Sequence, residues 1–112
     1  MKVSVKNGKS DIKIFEIEGE VDVYTSMDLK KELNTIIDSG KSKLIVNLSK
    51  VSYMDSSGLG ILVAILKRSK QENGNMKLIK LTPGIKKIFE LTKLTKFFEI
   101  FEEEEEAIKS FL

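Results

Sequence analysis

The residues best suited to chemistry lie together in the run Val51-Ser52-Tyr53-Met54-Asp55-Ser56-Ser57-Gly58-Leu59-Gly60. One carboxylate, several hydroxyls and two glycines meet where a strand-like segment gives way to a helical pattern. Free backbone N–H groups at a helix N-terminus can hold an anion such as phosphate, so a serine placed there is suited to carrying a phosphoryl group. The same residue types also serve as plain N-caps, and Asp55, Ser56 or Ser57 could do no more than close the helix end. Gly58 and Gly60 do not extend to either phosphate-binding fingerprint, G-x-x-x-x-G-K-[ST] or G-x-G-x-x-G.

Most other chemistry is excluded by composition. The chain has no histidine and no cysteine, which removes imidazole bases and ligands, thiolate nucleophiles and disulfides. A nucleophilic Ser57 would need a lysine or carboxylate base, and the G-x-S-x-G elbow is absent. A receiver-type domain phosphorylated on Asp55, with Lys80 and Pro83 as its lysine-proline pair, would need more acids than Asp22 and Asp55 to hold Mg²⁺. We therefore expect no enzymatic activity, no catalytic residue, no cofactor and no metal. The formal charge of +2 is small, and lysines interleave with acids along the whole chain, unlike a nucleic-acid-binding stripe. The longest apolar run, Ile61 to Leu66, is far too short to cross a bilayer. The expectation is a cytoplasmic protein with neither nucleic acid nor membrane as partner.

The elements that must position the serines follow from hydrophobic period. With 112 residues, 41% of them hydrophobic, the chain has material for one core, and residues 1–112 read as one domain. Val3 to Lys6 and Ile12 to Glu18 are β-branched runs separated by Asn7-Gly8, a hairpin signal because both residues tolerate positive φ. Leu29, Leu33, Ile36 and Ile37 fall on one helical face after Thr25 as N-cap, with Asp28 at N3 and Gly40 placed as a C′ glycine. Lys43 to Leu48 reads as a buried strand, Gly58 to Gln71 as a helix, and Met76 to Leu81 as a strand after the Asn73-Gly74 turn. Thr82-Pro83 opens a further helix carrying Ile85, Ile88 and Phe89. Phe97 to Phe101 reads as a last strand. The acids Glu102 to Glu106 then precede Ala107, Ile108, Phe111 and Leu112 at helical spacing, where they favour the positive dipole end. Strands alternating with helices predict an α/β fold, a mixed sheet of four or five strands with about four helices.

The run Tyr53-Met54-Asp55-Ser56-Ser57-Gly58-Leu59-Gly60 resembles the signature of the STAS domain in bacterial anti-sigma factor antagonists. Glu18-Gly19-Glu20-Val21-Asp22 resembles that family's segment after its second strand, Leu44 to Leu48 its central strand, and both come in the family's order and spacing. The resemblance implies a STAS fold in which Ser57 is the phosphoacceptor, Asp55 and Asp22 are the acids lining the site, and Ser56 is a variable neighbour. It also implies partner switching. The unphosphorylated antagonist binds a kinase-type anti-sigma factor and frees a sigma factor; the kinase phosphorylates the antagonist from its own ATP, and a serine phosphatase resets it. The same resemblance leaves open a STAS module in another partner-switching, sensory or transport-associated assembly.

The helix after Ser57 adds candidates for partner binding. At 100° per residue Leu59, Leu62, Val63 and Leu66 form one inward face, while Ile61, Ala64 and Ile65 fall to the flank or the far side with Gly60. Either these residues, with Ser56 and Gly58, make a docking surface, or a second helix of the same domain covers them.

Overall fold

The computed structural model describes residues 1–112. The chain runs β1 (Lys2–Asn7), β2 (Lys13–Val21), α1 (Ser26–Asp38), β3 (Lys43–Met54), α2 (Ser56–Gln71), β4 (Asn75–Ile79), α3 (Pro83–Leu91), a 3₁₀ turn (Leu94–Lys96), β5 (Ile100–Phe101) and α4 (Glu104–Phe111). The five strands form one sheet in the order β1-β2-β3-β4-β5. Only β1 is antiparallel to its neighbour; β2, β3, β4 and β5 run parallel. This is the mixed α/β sheet with four helices that the sequence pattern implied.

Strand periodicity assigns the two faces. Phe15 and Ile17, Leu44, Val46 and Leu48, and Met76 and Leu78 point to one side, where α1, α2 and α3 bring Leu29, Leu33, Leu62, Ile65, Ile85 and Phe89 into a core of 20 buried residues. The alternate residues Ile14, Ile45 and Ile79 point to the other side and meet Ala107 and Ile108 of α4 in a smaller cluster of 6. Successive side chains of a strand face opposite ways, so both layers come from one apolar pattern.

Several boundaries differ from the sequence reading, each for a local reason. The hairpin does not turn at Asn7-Gly8. Asn7 still pairs with Lys13, the Gly8 N–H donates to the Ile12 carbonyl at 2.7 Å, and positive φ falls on Ser10 (52°) and Asp11 (64°). Lys41, 2.9 Å from Asp11, ties this turn to the start of β3; its hydrogen bond and charge hold the Asp11 carboxyl below the usual carboxylate value. Lys80, with φ 56°, ends β4 before Leu81. The last strand shrinks to two residues because the Phe97 and Phe98 N–H groups donate back to the Leu94 carbonyl at 2.9 and 3.3 Å, carrying the 3₁₀ turn of Leu94–Lys96 into the expected strand.

The difference that matters most concerns β3. It continues six residues past Leu48, to Met54. Its pairing with β4 stops at Asn47 and Ile79, whereas β2 follows it to the end through two register shifts, pairing Glu20 with Tyr53 and Val21 with Met54. The ends of β2 and β3 therefore project beyond the rest of the sheet, and the Asp22 and Asp55 loops grow from that projection.

Candidate functional site

Asp55 follows the last residue of β3, and its backbone N–H donates to the Val21 carbonyl at 3.1 Å. It is the N-cap of α2: its Oδ1 accepts from the Ser57 N–H at 2.9 Å and the Gly58 N–H at 3.2 Å. Its other oxygen accepts from the Val23 N–H at 3.2 Å. One carboxylate thus ties the start of α2 to the loop after β2 and fills the capping role.

Asp22 opens that loop. Its Oδ1 accepts from the Tyr24 N–H at 2.9 Å and the Thr25 N–H at 3.1 Å, the short-range turn that an Asp side chain makes with backbone just ahead of it. Thr25 precedes α1 as the sequence predicted, but its hydroxyl makes no cap bond. It accepts from the Asp22 N–H and donates to the Glu20 carbonyl, both at 3.0 Å. Asp22, Asp55 and Ser57 are thereby joined at one end of the sheet through the chain Asp22–Val23, Val23 N–H to Asp55, and Asp55 to the Ser57 N–H.

Gly58 is the close-packed point of this junction. A Cβ there would stand 2.7 Å from Met54 Cγ, 2.8 Å from Val21 Cγ1 and 3.1 Å from the Val21 carbonyl oxygen, whereas one on Gly60 would meet nothing within 4 Å. Gly58 lets the first turn of α2 sit directly on the ends of β2 and β3. Ser57 is left half-exposed and Ser56 exposed.

The structure divides the proposed docking face of α2. Ala64 and Gly60 are exposed and Ile61 is half-buried, but Ile65 is 1% exposed and belongs to the main core. Helix α1 packs along α2, and Arg68 bonds Asn34 Oδ1 at 2.6 Å and pairs with Asp38 across that contact. Ile65 therefore cannot bind a partner: the second helix of the same domain covers it.

Four residues not singled out as partner contacts from the sequence stand out instead. Val23, Tyr24, Met27 and Tyr53 are 59%, 88%, 64% and 51% exposed, and they are carried by the same strand ends, loop and first helical turn as Asp22 and Asp55. Large apolar side chains left in water together mark an interaction surface. The available signal was negative: none of the four fits the period of the buried face around it. Glu20, Asp22 and Asp55 sit on the same strand ends and loops, so the pole is apolar and acidic.

A half-exposed serine at the start of α2, framed by the Asp22 and Asp55 loops and flanked by exposed apolar side chains, is what the α/β fold presents at this end of the sheet. The family model of the STAS domain matches residues 4–107. The chain is 34% identical over 109 residues to the anti-sigma-B factor antagonist of Bacillus subtilis, covering 97% of this chain and 98% of that one. Among solved structures, an anti-sigma factor antagonist from Mycobacterium paratuberculosis superposes with a TM-score of 0.88 at 23% identity, covering 98% and 92% of the two chains. The Bacillus cell fate determinant SpoIIAA in its phosphorylated form superposes with a TM-score of 0.76 at 24% identity, covering 97% and 98%. The chain belongs to the STAS-domain family of anti-sigma factor antagonists. No helix is long and apolar enough to cross a membrane.

Proposed function

We propose that this anti-sigma factor antagonist is switched by phosphorylation of Ser57. Unphosphorylated, it docks its acidic, apolar pole on a kinase-type anti-sigma factor in the cytoplasm and so releases a sigma factor. The kinase transfers the γ-phosphoryl group of ATP to Ser57 Oγ; the hydroxyl proton passes to a base on the kinase and ADP leaves. A serine phosphatase hydrolyses the ester and restores the hydroxyl. Catalysis belongs to the two partners, which agrees with a chain of 112 residues, acting as one domain, that offers Ser57 no histidine and no cysteine.

The observation that carries this reading is the fixation of Ser57 by Asp55. The serine amide is held at 2.9 Å by a carboxylate that is itself held by Val23, so the half-exposed side chain is presented from a rigid frame amid the exposed Val23, Tyr24, Met27 and Tyr53. A phosphoryl group adds about −1.5 to −2 charge at pH 7. In a partner contact partly stripped of water that charge, next to Asp55, costs about a few kcal/mol, and each 1.4 kcal/mol is about tenfold in affinity. The relative SpoIIAA exists in a phosphorylated form.

The test is phosphopeptide mapping with the cognate kinase and ATP. Phosphate should appear on Ser57 in wild type and in Ser56→Ala, and nowhere in Ser57→Ala. Ser57→Ala should still bind the kinase and keep the sigma factor free, while Ser57→Asp, with about one added charge in place of nearly two, should bind more weakly than wild type. Phosphate found on Ser56 alone would overturn the assignment.

A further inference from the structure

One segment away from the Ser57 pole carries positive charge that forms no ion pair. From Lys86 to Phe98, the lysines Lys86, Lys87, Lys93 and Lys96 are exposed, none is in an ion pair, and Glu90 is the one acid among them. The same segment exposes two large apolar residues, Leu91 at 74% and Phe97 at 64%. Their neighbours Phe89 and Phe98 are buried and pack edge to face with ring centroids 5.6 Å apart. The segment is therefore anchored, and Leu91 and Phe97 project from a fixed base. The left-handed Lys93 and the 3₁₀ turn after it reverse the chain between them.

We propose that the far end of α3 and the turn that follows dock peripherally on an anionic lipid surface, with Leu91 and Phe97 entering the acyl boundary and Lys87, Lys93 and Lys96 meeting the head groups. Charge complementarity selects this occupant. Unpaired ammonium groups call for a polyanion, protruding apolar side chains call for a soft apolar layer, and an anionic bilayer supplies both. The cavity that the segment borders is lined by Lys86, Thr95 and Phe98 with Leu81, Ile100 and Glu102, and leaves out Leu91 and Phe97, which argues against a peptide held there by those two side chains. The topology fits as well. Helix α3 starts just beyond the C-terminal end of β4 and leads the chain back toward the start of the parallel β5, so its far end points away from Ser57. The acids Glu20, Asp22, Asp28 and Asp55 would be repelled by the same surface, leaving the Ser57 pole turned outward. Such a contact leaves no long apolar run, which is why run length in the sequence does not reveal it.

Co-sedimentation with vesicles decides the matter and needs no kinase. The wild-type chain should bind vesicles containing phosphatidylglycerol, should not bind pure phosphatidylcholine, and should be released in about 1 M salt, where the Debye length falls to about 3 Å. The triple variant Lys87→Glu/Lys93→Glu/Lys96→Glu should lose binding by at least about 100-fold, at roughly fivefold for each lysine near the surface. Leu91→Ser/Phe97→Ser, which keeps every charge, should lose it by at least about tenfold while far-UV circular dichroism stays that of wild type. Absence of binding at low salt, equal binding to both vesicle types, or full retention in Leu91→Ser/Phe97→Ser would overturn the proposal. So would capture by an acidic polypeptide or an oligonucleotide with none by vesicles.

Discussion

Two alanine substitutions, two residues apart in the same helix, should change stability in opposite directions. In Gly58→Ala the new methyl group would stand 2.7 Å from Met54 Cγ and 2.8 Å from Val21 Cγ1, with the Val21 carbonyl oxygen at 3.1 Å. Both side-chain atoms lie close to their own main chains, and Met54 and Val21 are fully packed, at 2% and 0% exposure. None can swing aside as a free end would, so the first turn of α2 must lift. Overpacking of this kind costs about 2–3 kcal/mol, and the better helix propensity of alanine returns about 1 kcal/mol. The net loss of about 1–2 kcal/mol corresponds to a midpoint about 4–8 °C lower for a domain of this size. In Gly60→Ala the methyl group meets nothing within 4 Å, so propensity acts alone and the midpoint should rise by about 2–4 °C. Thermal unfolding followed by circular dichroism measures both. Gly58→Ala as stable as wild type, or Gly60→Ala as damaging as Gly58→Ala, would refute the close-packing account of this junction.

Ile65→Glu should unfold the protein or lower its midpoint by well over 10 °C, since it puts an unpaired charge into the α1–α2 contact, whereas Ala64→Glu should leave the midpoint within about 2 °C and weaken kinase binding in a pull-down. Asp55→Ala frees the Ser57, Gly58 and Val23 amides together and should cost about 1–2 kcal/mol in urea unfolding, with Asp55→Asn recovering most of it because the amide oxygen still accepts. In ³¹P NMR titration of the Ser57-phosphorylated chain, the second phosphate pKa should lie above the ordinary value of about 6, because Asp55 disfavours the dianion; a value below that would show the helix amides holding the phosphate instead.

How much of this could be read from the sequence depends on which neighbours an element has. The main core was legible where a segment faces one partner: Leu29 and Leu33, Leu44 and Val46, and Ile85 and Phe89 are all buried. The start of α3 at Thr82-Pro83 was legible too, and there the Thr82 hydroxyl accepts from the Ile85 N–H at 3.4 Å, whereas Thr25, expected to cap α1, makes no cap bond. Helix α2 was not, because projection onto a wheel assumes one covered side. The sheet covers Leu62 and α1 covers Ile65, which rotates the buried arc and leaves Val63, expected inward, half-buried. The extension of β3 was hidden for a related reason. Ser49, Lys50 and Ser52 are exposed because that stretch has β2 as its only strand neighbour, so an apolar pattern never forms. Tyr53 and Met27 were legible only by exclusion, as apolar residues off the period of the buried face, since an exposed apolar side chain otherwise looks like a core residue until a fold leaves it without a neighbour.

The least expected finding concerns what the helix end is free to do. A phosphoserine near a helix N-terminus is ordinarily stabilised by the unbonded amides of the first turn. Here the Ser57 and Gly58 amides are taken by Asp55, and the Leu59 amide bonds the Asp55 carbonyl at 3.1 Å. Of the four amides of the first turn only that of Ser56 stays outside these bonds, so a phosphate on Ser57 gains little from the helix and adds its charge beside a carboxylate already fixed there. That arrangement favours switching over storage. A phosphate neutralised by backbone amides would reorganise the antagonist and present a muted charge to the partner; one left unneutralised would leave the fold as it was and direct its full charge at the surface proposed to meet the kinase. The acid that builds the rigid frame around Ser57 is, on this reasoning, also what keeps the phosphate repellent, so Asp55→Asn should preserve the frame while weakening the difference in partner affinity between the two phosphorylation states.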